Sequence, residues 1–241
     1  MSLYSNIQEV PEGAEQFLGS IPLFDQLNPG QVSAVAERTR RRTFASGITL
    51  YHQDMPGVTL YIVESGCIRL YSVGRTGQEL TLEVLGAGDV LGELSLLDRQ
   101  PHSVTAITLT PTIVWLLHQK DVEEFIEIYP GLNKALVRLL VTRVRAITQQ
   151  IEAMAFQDVQ GRLAYEILNL SQRHGQPNGS QVDIRIPLTQ VDLAAMVGAT
   201  RESVNKALTT LRSLGLVKVE ENLLSVKSME GLRKILQERG R

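Results

Sequence analysis

Between Phe44 and about His118 the chain consists of short runs of β-branched and other apolar residues separated by glycine. Glycine recurs at positions 47, 57, 66, 74, 77, 86, 88 and 92. This spacing is near the 8–12 residues typical of β-sandwiches and barrels. The clearest strands are TLYIVES, CIRLYSV, ELTLEVL and SVTAITLTPTIVWLL, and VGRTGQ is a hairpin loop with two glycines. The pattern predicts an all-β roll.

Helical patterns flank this roll. GQVSAVAERT, together with Arg40, Arg41 and Arg42, predicts a helical entry, and KDVEEFIEIY predicts a short helix stopped by Pro130–Gly131.

The following segment has the most regular apolar spacing in the chain. Its apolar positions follow the 3–4 spacing of coiled-coil a and d residues: Val137, Leu140, Val144, Ile147, Ile151 and Met154. The a positions are β-branched, which favours two parallel helices. A second ridge of Leu132, Leu136 and Leu139 is available to pack on the helix's own domain. We therefore predict a homodimer through the first ridge, with packing inside one chain as the alternative.

From Gln157 onward the pattern changes to short helices. GRLAYEILNLSQRH predicts a helix, and GQPNGSQ, rich in turn-forming residues, predicts an irregular loop. Thr189 and Asp192 then have the spacing of a capping box. The helix that follows has an apolar face of Val191, Leu193, Ala194 and Val197 and is broken by Gly198.

Thr200 is positioned to cap a second helix. Its predicted buried positions are Val204, Ala207, Leu208 and Leu211, and its outward positions are Arg201, Glu202, Asn205, Lys206 and Thr209. Two helices joined by a glycine turn, with the second polar on its outer face, are typical of a helix-turn-helix. LVKVEENLLSV reads as a hairpin turning at Glu220–Asn222, which predicts the winged variant.

Length and composition place the chain among soluble proteins of two domains. It has 241 residues, 43% of them hydrophobic and 21% charged. No apolar run approaches the roughly 18 residues that span a bilayer, and MSLYSNIQEV lacks the order of a signal peptide, so we expect a cytoplasmic protein without a membrane partner. The single cysteine, Cys67, excludes an intramolecular disulfide, a thiolate zinc site and a four-cysteine iron–sulfur cluster.

The net charge of −2 conceals an asymmetry. Residues 1–156 carry 12 Lys and Arg against 17 Asp and Glu, whereas residues 157–241 carry 12 against 9. A basic C-terminal part suits a chain in which only one domain meets a polyanion. Tyr165 is the last aromatic residue, so this part offers almost no rings for stacking single-stranded bases. Double-stranded DNA is the better match.

The outward face of the second helix has the chemistry of major-groove readout. Arg201 can pair with guanine and Glu202 with cytosine, and Asn205 and Lys206 lie one turn further. Four further residues are placed to hold phosphates: Thr189, Gln190, Thr200 and Ser203. The alternative is a solvated set of helix charges.

At this point the sequence resembles the cyclic-AMP receptor protein/fumarate-nitrate regulator (CRP/FNR) superfamily of bacterial transcription factors. The resemblance rests on LYIVESGCIRLY, GAGDVLGELSLLDRQPHSVTAIT, AFQDVQGRLAYEILNLSQ and VDLAAMVGATRESVNKAL followed by LRSLGLV. It implies an α+β fold: a cyclic-nucleotide-binding-type β-roll (1–131), a dimerisation helix (132–156) and a winged helix-turn-helix DNA-binding domain (157–241). It also implies a palindromic promoter site, contact with RNA polymerase, and Arg201 and Glu202 at the base-reading positions. Lys206 falls where members that read a TGTGA-type half-site usually carry Arg.

The resemblance further implies an effector site. Gly92, Glu93, Leu94 and Ser95 match the family's Gly-Glu-Leu turn, whose Glu binds ribose, and Ser103 matches the serine of its phosphate-binding Arg-Ser pair. The arginine of that pair is replaced by His102. Losing a charge-assisted bond costs about 1.5–3 kcal/mol, or about 10- to 150-fold in affinity, which weakens the case for cyclic AMP. Thr148 sits where the family presents a hydroxyl to adenine, partly from the opposite subunit, beside an apolar Ile147.

Several alternatives stay open for the effector and the function. Cyclic AMP, another cyclic nucleotide, haem held by ligands among Cys67, His52, His102 and His118, an anionic metabolite on Arg143 and Arg145, and no small molecule at all are each compatible with the residues. Arg143 and Arg145 read more simply as solvated or interdomain charges, and Cys67 as a small buried apolar residue. A cupin enzyme needs a His-x-His cluster, which is absent from the sequence, so we predict no enzyme. A nucleotide-binding regulatory subunit without DNA binding is the remaining alternative.

Overall fold

The structure is a computed structural model that describes residues 13–220 and 223–239. It is an α+β protein with an N-terminal β-roll, a long helix and a C-terminal domain of helices and short strands. The predicted fold class is confirmed. Within the described residues, no helix is both long and apolar enough to cross a membrane.

Two four-stranded antiparallel sheets form the β-roll. The strands are β1 (Arg40–Phe44), β2 (Thr49–Tyr51), β3 (Thr59–Ser65), β4 (Ile68–Val73), β5 (Glu79–Leu85), β6 (Val90–Leu91), β7 (Thr105–Thr108) and β8 (Thr112–His118). One sheet has the order β1-β8-β3-β6 and the other β2-β7-β4-β5. Between the sheets lies an apolar core that includes Val63, Ile68, Leu85, Leu91 and Val114. The predicted β4–β5 hairpin over VGRTGQ is present, with the Gly74 N–H donating to the Gln78 carbonyl at 2.8 Å.

Two local predictions in this region are wrong. The helix before the roll ends at Arg38, because the Thr39 side chain bonds the Ala36 carbonyl at 2.8 Å and the backbone becomes extended. Arg40, Arg41 and Arg42 therefore lie in an edge strand rather than a helical entry, where charged side chains suit a solvent-facing strand. The long run from 103 to 117 is two strands, since the chain turns between β7 and β8 around Pro111.

From residue 13 onward, five helices accompany the roll: α1 (Ala14–Gly19), α2 (Pro29–Arg38), α3 (Glu93–Asp98), α4 (Gln119–Ile128) and α5 (Pro130–Phe156). Pro130 occupies the first turn of α5, where its missing N–H costs nothing, so it ends one helix and begins the next. Leu132 and Leu136 of α5 are buried against the roll, and Leu139 packs on the same core. The second ridge thus serves the helix's own domain, as predicted.

The C-terminal domain contains α6 (Val159–His174), β9 (Gly175–Asn178), β10 (Gln181–Ile184), α7 (Gln190–Val197), α8 (Arg201–Ser213), β11 (Val217–Glu220), β12 (Leu223–Val226) and α9 (Met229–Arg239). Its sheet has the order β11-β12-β10-β9. The wing hairpin is present as β11 and β12, although part of its predicted turn, residues 221–222, lies outside the described residues.

The segment GQPNGSQ was expected to be an irregular loop, and this prediction is wrong. It belongs to the β9–β10 hairpin. The reason is buried Asp183, which accepts hydrogen bonds from Ser225 at 2.7 Å, Asn178 at 2.8 Å and Gln181 at 3.1 Å. These bonds tie both strands of the hairpin to β12. Together they hold the pKa of Asp183 below its ordinary value.

The C-terminal domain packs directly on the β-roll through β5. Val84 belongs to the apolar core of the C-terminal domain, and its carbonyl lies 3.0 Å from His174 Nε2 of α6. Arg173 of α6 pairs with Glu83 at 2.5 Å and with Asp89 at 2.9 Å. Strand β5 therefore belongs to the β-roll and also packs against the C-terminal domain.

Candidate functional site

A cavity of about 260 Å³ lies where the β-roll, α5 and α6 meet. This volume is close to the lower end of the range for small-molecule sites, about 300–1,000 Å³. The six effector residues predicted from the β-roll all line it: Gly92, Glu93, Leu94, Ser95, His102 and Ser103. The structure thus brings these residues together in one place.

The turn before α3 needs a glycine at position 92. Gly92 has φ +90°, and a Cβ there would lie 2.5 Å from the Thr59 carbonyl oxygen. The turn directs Glu93 inward, so that only 1% of this residue is exposed. Burial raises the pKa of the Glu93 carboxyl, and the neighbouring Arg143 guanidinium opposes that rise.

Arg143 of α5 forms an ion pair with Glu93 and donates to the Val90 carbonyl. Of the two interpretations of Arg143 from the sequence, an anion-binding residue and a solvated or interdomain charge, the second is the simpler. The structure instead places it half-buried in the cavity wall, whereas Arg145 is exposed. One carboxyl oxygen of Glu93, Oε2, is buried without a hydrogen-bond partner in the described part of the chain.

His102 is 5% exposed and fixed on three sides. Its Nδ1 lies 3.0 Å from Ser95 Oγ, and its ring stacks on Tyr51 with 3.7 Å between ring centroids. A Cβ on Gly57 would lie 2.5 Å from the His102 ring, so the glycine makes room for the imidazole. Burial lowers the pKa of His102 below 6.5.

The seventh predicted effector residue, Thr148, does not line the cavity. Thr148 is exposed, and its hydroxyl donates to the Val144 carbonyl at 2.9 Å, while the neighbouring Ile147 lines the wall. Of the four haem candidates only His102 is a lining residue. Cys67 packs against the C-terminal core instead, and burial raises the pKa of its thiol.

Helix α6 contributes a wall that the sequence reasoning missed. Tyr165, Glu166, Asn169, Arg173 and His174 line the cavity from this helix. Burial raises the pKa of the Glu166 carboxyl to about 7. The segment AFQDVQGRLAYEILNLSQ contains three of these residues, but its sequence does not indicate a place in the cavity, because only the packing of the two domains brings α6 over the β-roll.

The predicted DNA-binding surface is an exposed face of α8. Val204, Ala207, Leu208 and Leu211 are buried, as predicted. Arg201, Glu202, Asn205 and Lys206 are exposed. Within the described ranges, none of these charged side chains forms an ion pair, so Glu202 and Lys206 are not an i,i+4 salt bridge.

Gln190 connects the two helices of this motif. Its Oε1 accepts from Arg201 Nε at 3.3 Å, and its Nε2 donates to Asn205 Oδ1 at 3.2 Å. Val191, predicted on the buried face, is 60% exposed. It lies about 200° around the helix from buried Leu193, on the opposite side.

The hydroxyl groups predicted to hold phosphates also cap the helices. The Thr189 hydroxyl accepts from the Asp192 N–H at 3.2 Å and the Asp192 carboxylate accepts from the Thr189 N–H at 2.8 Å, which is the predicted capping box. Thr200 caps α8 by accepting from the Ser203 N–H at 3.2 Å, and the two hydroxyls lie 2.9 Å apart. These bonds fix the N-termini of α7 and α8 on the outer surface.

Comparisons with known proteins agree with this geometry. Residues 41–129 match the cyclic nucleotide-binding domain, and residues 161–235 match the Crp-like helix-turn-helix domain. The chain is 30% identical over 218 residues, 90% of its length and 97% of the relative's, to the CRP-like cAMP-activated global transcriptional regulator of Mycobacterium tuberculosis. It is 32% identical over 214 residues, 89% of this chain and 96% of the relative, to the cyclic AMP receptor protein of Thermus thermophilus.

Solved structures show the same architecture. A CRP/FNR-family transcriptional regulator from Thermus thermophilus aligns with a TM-score of 0.70 and 26% identity, covering 83% of this chain and 100% of that one. FixK2 from Bradyrhizobium japonicum shares the fold with a TM-score of 0.74 and 19% identity, covering 82% of this chain and 96% of that one. With a cyclic nucleotide-binding domain, a helix-turn-helix DNA-binding domain and relatives at this level of identity, the chain belongs to the CRP/FNR family of transcriptional regulators.

Proposed function

We propose that this regulator is a homodimer that binds a palindromic site in double-stranded DNA and is controlled by a small effector in the cavity. In this proposal residues 1–131 sense the effector, 132–156 dimerise and 157–241 bind DNA. Contact with RNA polymerase and a location in the cytoplasm follow from the same role.

The face of α8 is the observation that carries the DNA-binding part. Arg201 and Glu202 lie exposed in its first turn, and Gln190 holds Arg201 by a hydrogen bond. A guanidinium fixed at the start of a helix is suited to the O6 and N7 atoms of guanine, and a carboxylate to the N4 amino group of cytosine. Thr189, Thr200 and Ser203 lie beside them, where they reach the phosphates.

The exposed ridge of α5 supports the dimer. Val137, Val144, Ile147 and Ile151 are each 51–63% exposed, and Leu140 and Met154 are partly exposed. An apolar stripe of this length on a soluble helix is favourable only when another surface covers it. Since the four most exposed residues include every a position, a parallel pair of α5 helices is the partner that fits.

The polar groups of the cavity fit a cyclic nucleotide. Glu93 Oε2 is a buried acceptor in need of a donor, which a ribose hydroxyl supplies. Arg143 is the charged group beside it, and His102 with Ser95 and Ser103 forms the adjoining polar wall. Arg143 thus provides a cation for an anionic ligand although the family's phosphate-binding arginine is replaced by His102. The names of the relatives make cyclic AMP the first nucleotide to test.

Selection of bound sequences from random duplex DNA tests this proposal. The full chain is used with and without cyclic AMP, and the recovered sites are aligned. We expect a two-fold symmetric consensus whose recovery changes with the nucleotide. Arg201→Ala relaxes one symmetric pair of positions, whereas Arg75→Ala, an exposed change in the β4–β5 loop, leaves the consensus unaltered. Recovery of DNA without any consensus refutes the proposal.

A further inference from the structure

Glu166 of α6 is a cavity residue that the proposed function leaves unused. Its side chain is partly buried, and within residues 13–220 and 223–239 it makes no hydrogen bond or ion pair. Burial raises the pKa of its carboxyl to about 7. Near neutral pH a large share of this carboxyl is protonated, and a protonated carboxyl offers one donor and one acceptor.

A buried threonine hydroxyl also lies in the same cavity. Thr81 of β5 is 2% exposed, and its Oγ1 has no hydrogen-bond partner in the described chain. Glu83, two residues further along β5, pairs with Arg173 of α6. Arg173 follows Glu166 by seven residues, or about two helical turns, and so lies on the same face of α6. The ion pair therefore holds the face that carries Glu166 against the strand that carries Thr81.

Two residues of α5 lie at opposite ends of the cavity. Arg143, paired with Glu93, lies at the end expected to hold ribose and phosphate. Gln150 donates to the Thr81 carbonyl at 3.3 Å and lies at the other end. Seven residues of helix span about 10 Å, which is suited to a nucleotide extended from its phosphate to the outer edge of its base. Ala146 and Ile147 line the wall between them and offer an apolar surface to the base.

We propose that α6 supplies the base subsite of this cavity, with Glu166 and Asn169 hydrogen-bonding the edge of an adenine base and Thr81 adding a third polar contact. The inference rests on the proposed function, since it assumes a cyclic nucleotide with its ribose at Glu93. Adenine presents a donor, N6, beside an acceptor, N1 or N7. A neutral carboxyl and an asparagine amide each present the complementary acceptor and donor, and the Asn169 amide, which also hydrogen-bonds the Tyr165 side chain, has further donor and acceptor capacity for the base.

This placement makes one cyclic adenine nucleotide a contact between the two domains. Its ribose and phosphate lie on the β-roll and α5, and its base lies on the first helix of the DNA-binding domain. A ligand bound in this way favours the arrangement in which α6 packs over the roll, because only that arrangement completes its contacts.

Calorimetric titration of the full chain with cyclic AMP and cyclic GMP at pH 7 tests the inference. Glu166→Leu is expected to weaken cyclic AMP binding about tenfold or more, because a buried donor and acceptor are lost. Asn169→Ala is expected to weaken it several-fold by the same argument. Glu166→Gln keeps one donor and one acceptor and is expected to bind cyclic AMP nearly as the wild type does. Glu37→Leu, which removes an exposed carboxyl of α2, is the matched control and leaves binding unchanged.

Hydrogen–deuterium exchange gives a second measurement on the same proteins. Saturating cyclic AMP is expected to slow amide exchange in α6 of the wild type and of Glu166→Gln, but much less in Glu166→Leu at equal occupancy. This comparison separates loss of the α6 contact from a general loss of affinity.

Four results overturn the inference. In the first, the wild type binds neither nucleotide; in the second, it binds cyclic GMP more tightly than cyclic AMP. In the third, the wild type and Glu166→Leu bind cyclic AMP equally well. In the fourth, Thr148→Ala loses affinity and Glu166→Leu does not. Binding of the same preparations to their selected DNA is measured by fluorescence anisotropy. A protein that binds its DNA site and shows any of these four results retains its role as a DNA-binding regulator and loses only the α6 subsite.

Discussion

Glu166→Gln should change how the stability of the protein depends on pH. The ordinary pKa of this carboxyl, 4.5, is raised to about 7 by burial in the folded protein. A raised pKa stabilises the fold below the unfolded value of 4.5, and this contribution is lost as pH rises through about 7. At about 1.36 kcal/mol for each pH unit between the two pKa values, ionisation of the native carboxyl costs at most about 3 kcal/mol above pH 8.

Glutamine has nearly the same shape and does not titrate, so the difference between variant and wild type isolates this group. We expect the unfolding free energy of Glu166→Gln minus that of the wild type to grow by about 2 kcal/mol between pH 5 and pH 8. The measurement is urea unfolding followed by circular dichroism at one fixed protomer concentration, because unfolding of an oligomer depends on concentration. Other titrating groups cancel in the difference.

Glu37→Gln is the control for the loss of an exposed carboxyl, and its pH profile should run parallel to that of the wild type. If the pH profile of Glu166→Gln is also parallel to that of the wild type, Glu166 is ionised at neutral pH in the folded protein. Burial then does not keep this carboxyl neutral, and Glu166 has no proton to donate to adenine.

Three further predictions concern the other surfaces. Replacing Ile147 and Ile151 together with Glu should give a monomer in sedimentation equilibrium, because it puts four charges into the stripe of a paired α5; a dimeric double variant contradicts the interface. Arg201→Ala should cost about 1–3 kcal/mol on the selected site and much less on random DNA in a binding titration; equal losses on both would identify a phosphate contact. Affinity for cyclic AMP should strengthen as pH falls, because burial lowers the pKa of free His102 and a phosphate favours the charged ring, whereas His102→Arg should show no such trend in calorimetry; a pH-independent wild type argues against contact between His102 and phosphate.

Much of the fold follows from local signals in the sequence. The capping box at Thr189 and Asp192 and the apolar stripe of α8 depend on residues three or four apart, so their spacing is visible in the chain. The structure differs from the predictions where residues far apart in the sequence determine the local fold. The β9–β10 hairpin depends on Asp183 binding Ser225, which is 42 residues away. Turn-forming composition alone does not reveal that bond.

The same distinction applies to the cavity. The Gly92 to Ser95 turn is identified by its resemblance to the family's Gly-Glu-Leu turn, and the structure shows why glycine is needed there, since φ of Gly92 is +90°. Arg143 and Glu166 belong to helices whose patterns indicate a dimer stripe and a DNA-binding domain. Their role as cavity residues arises from packing across 50 residues to Glu93 in one case and across the domain boundary in the other. The spacing of residues along a helix does not specify which other domain will cover it.

The walls of the cavity offer a physical route by which the proposed effector would alter DNA binding. A ligand shifts a conformational equilibrium only by the difference between its affinities for the two states, so a nucleotide held by the β-roll alone leaves the position of the DNA-binding domain unchanged. Here Glu93 is joined to α5 through Arg143, and α6 is joined to β5 through Arg173. A nucleotide that contacts Glu93 and Glu166 therefore loses part of its binding energy whenever α6 moves away from the roll. About tenfold weaker binding in the separated arrangement is equivalent to about 1.4 kcal/mol of coupling, which lies within the ordinary range for allosteric proteins.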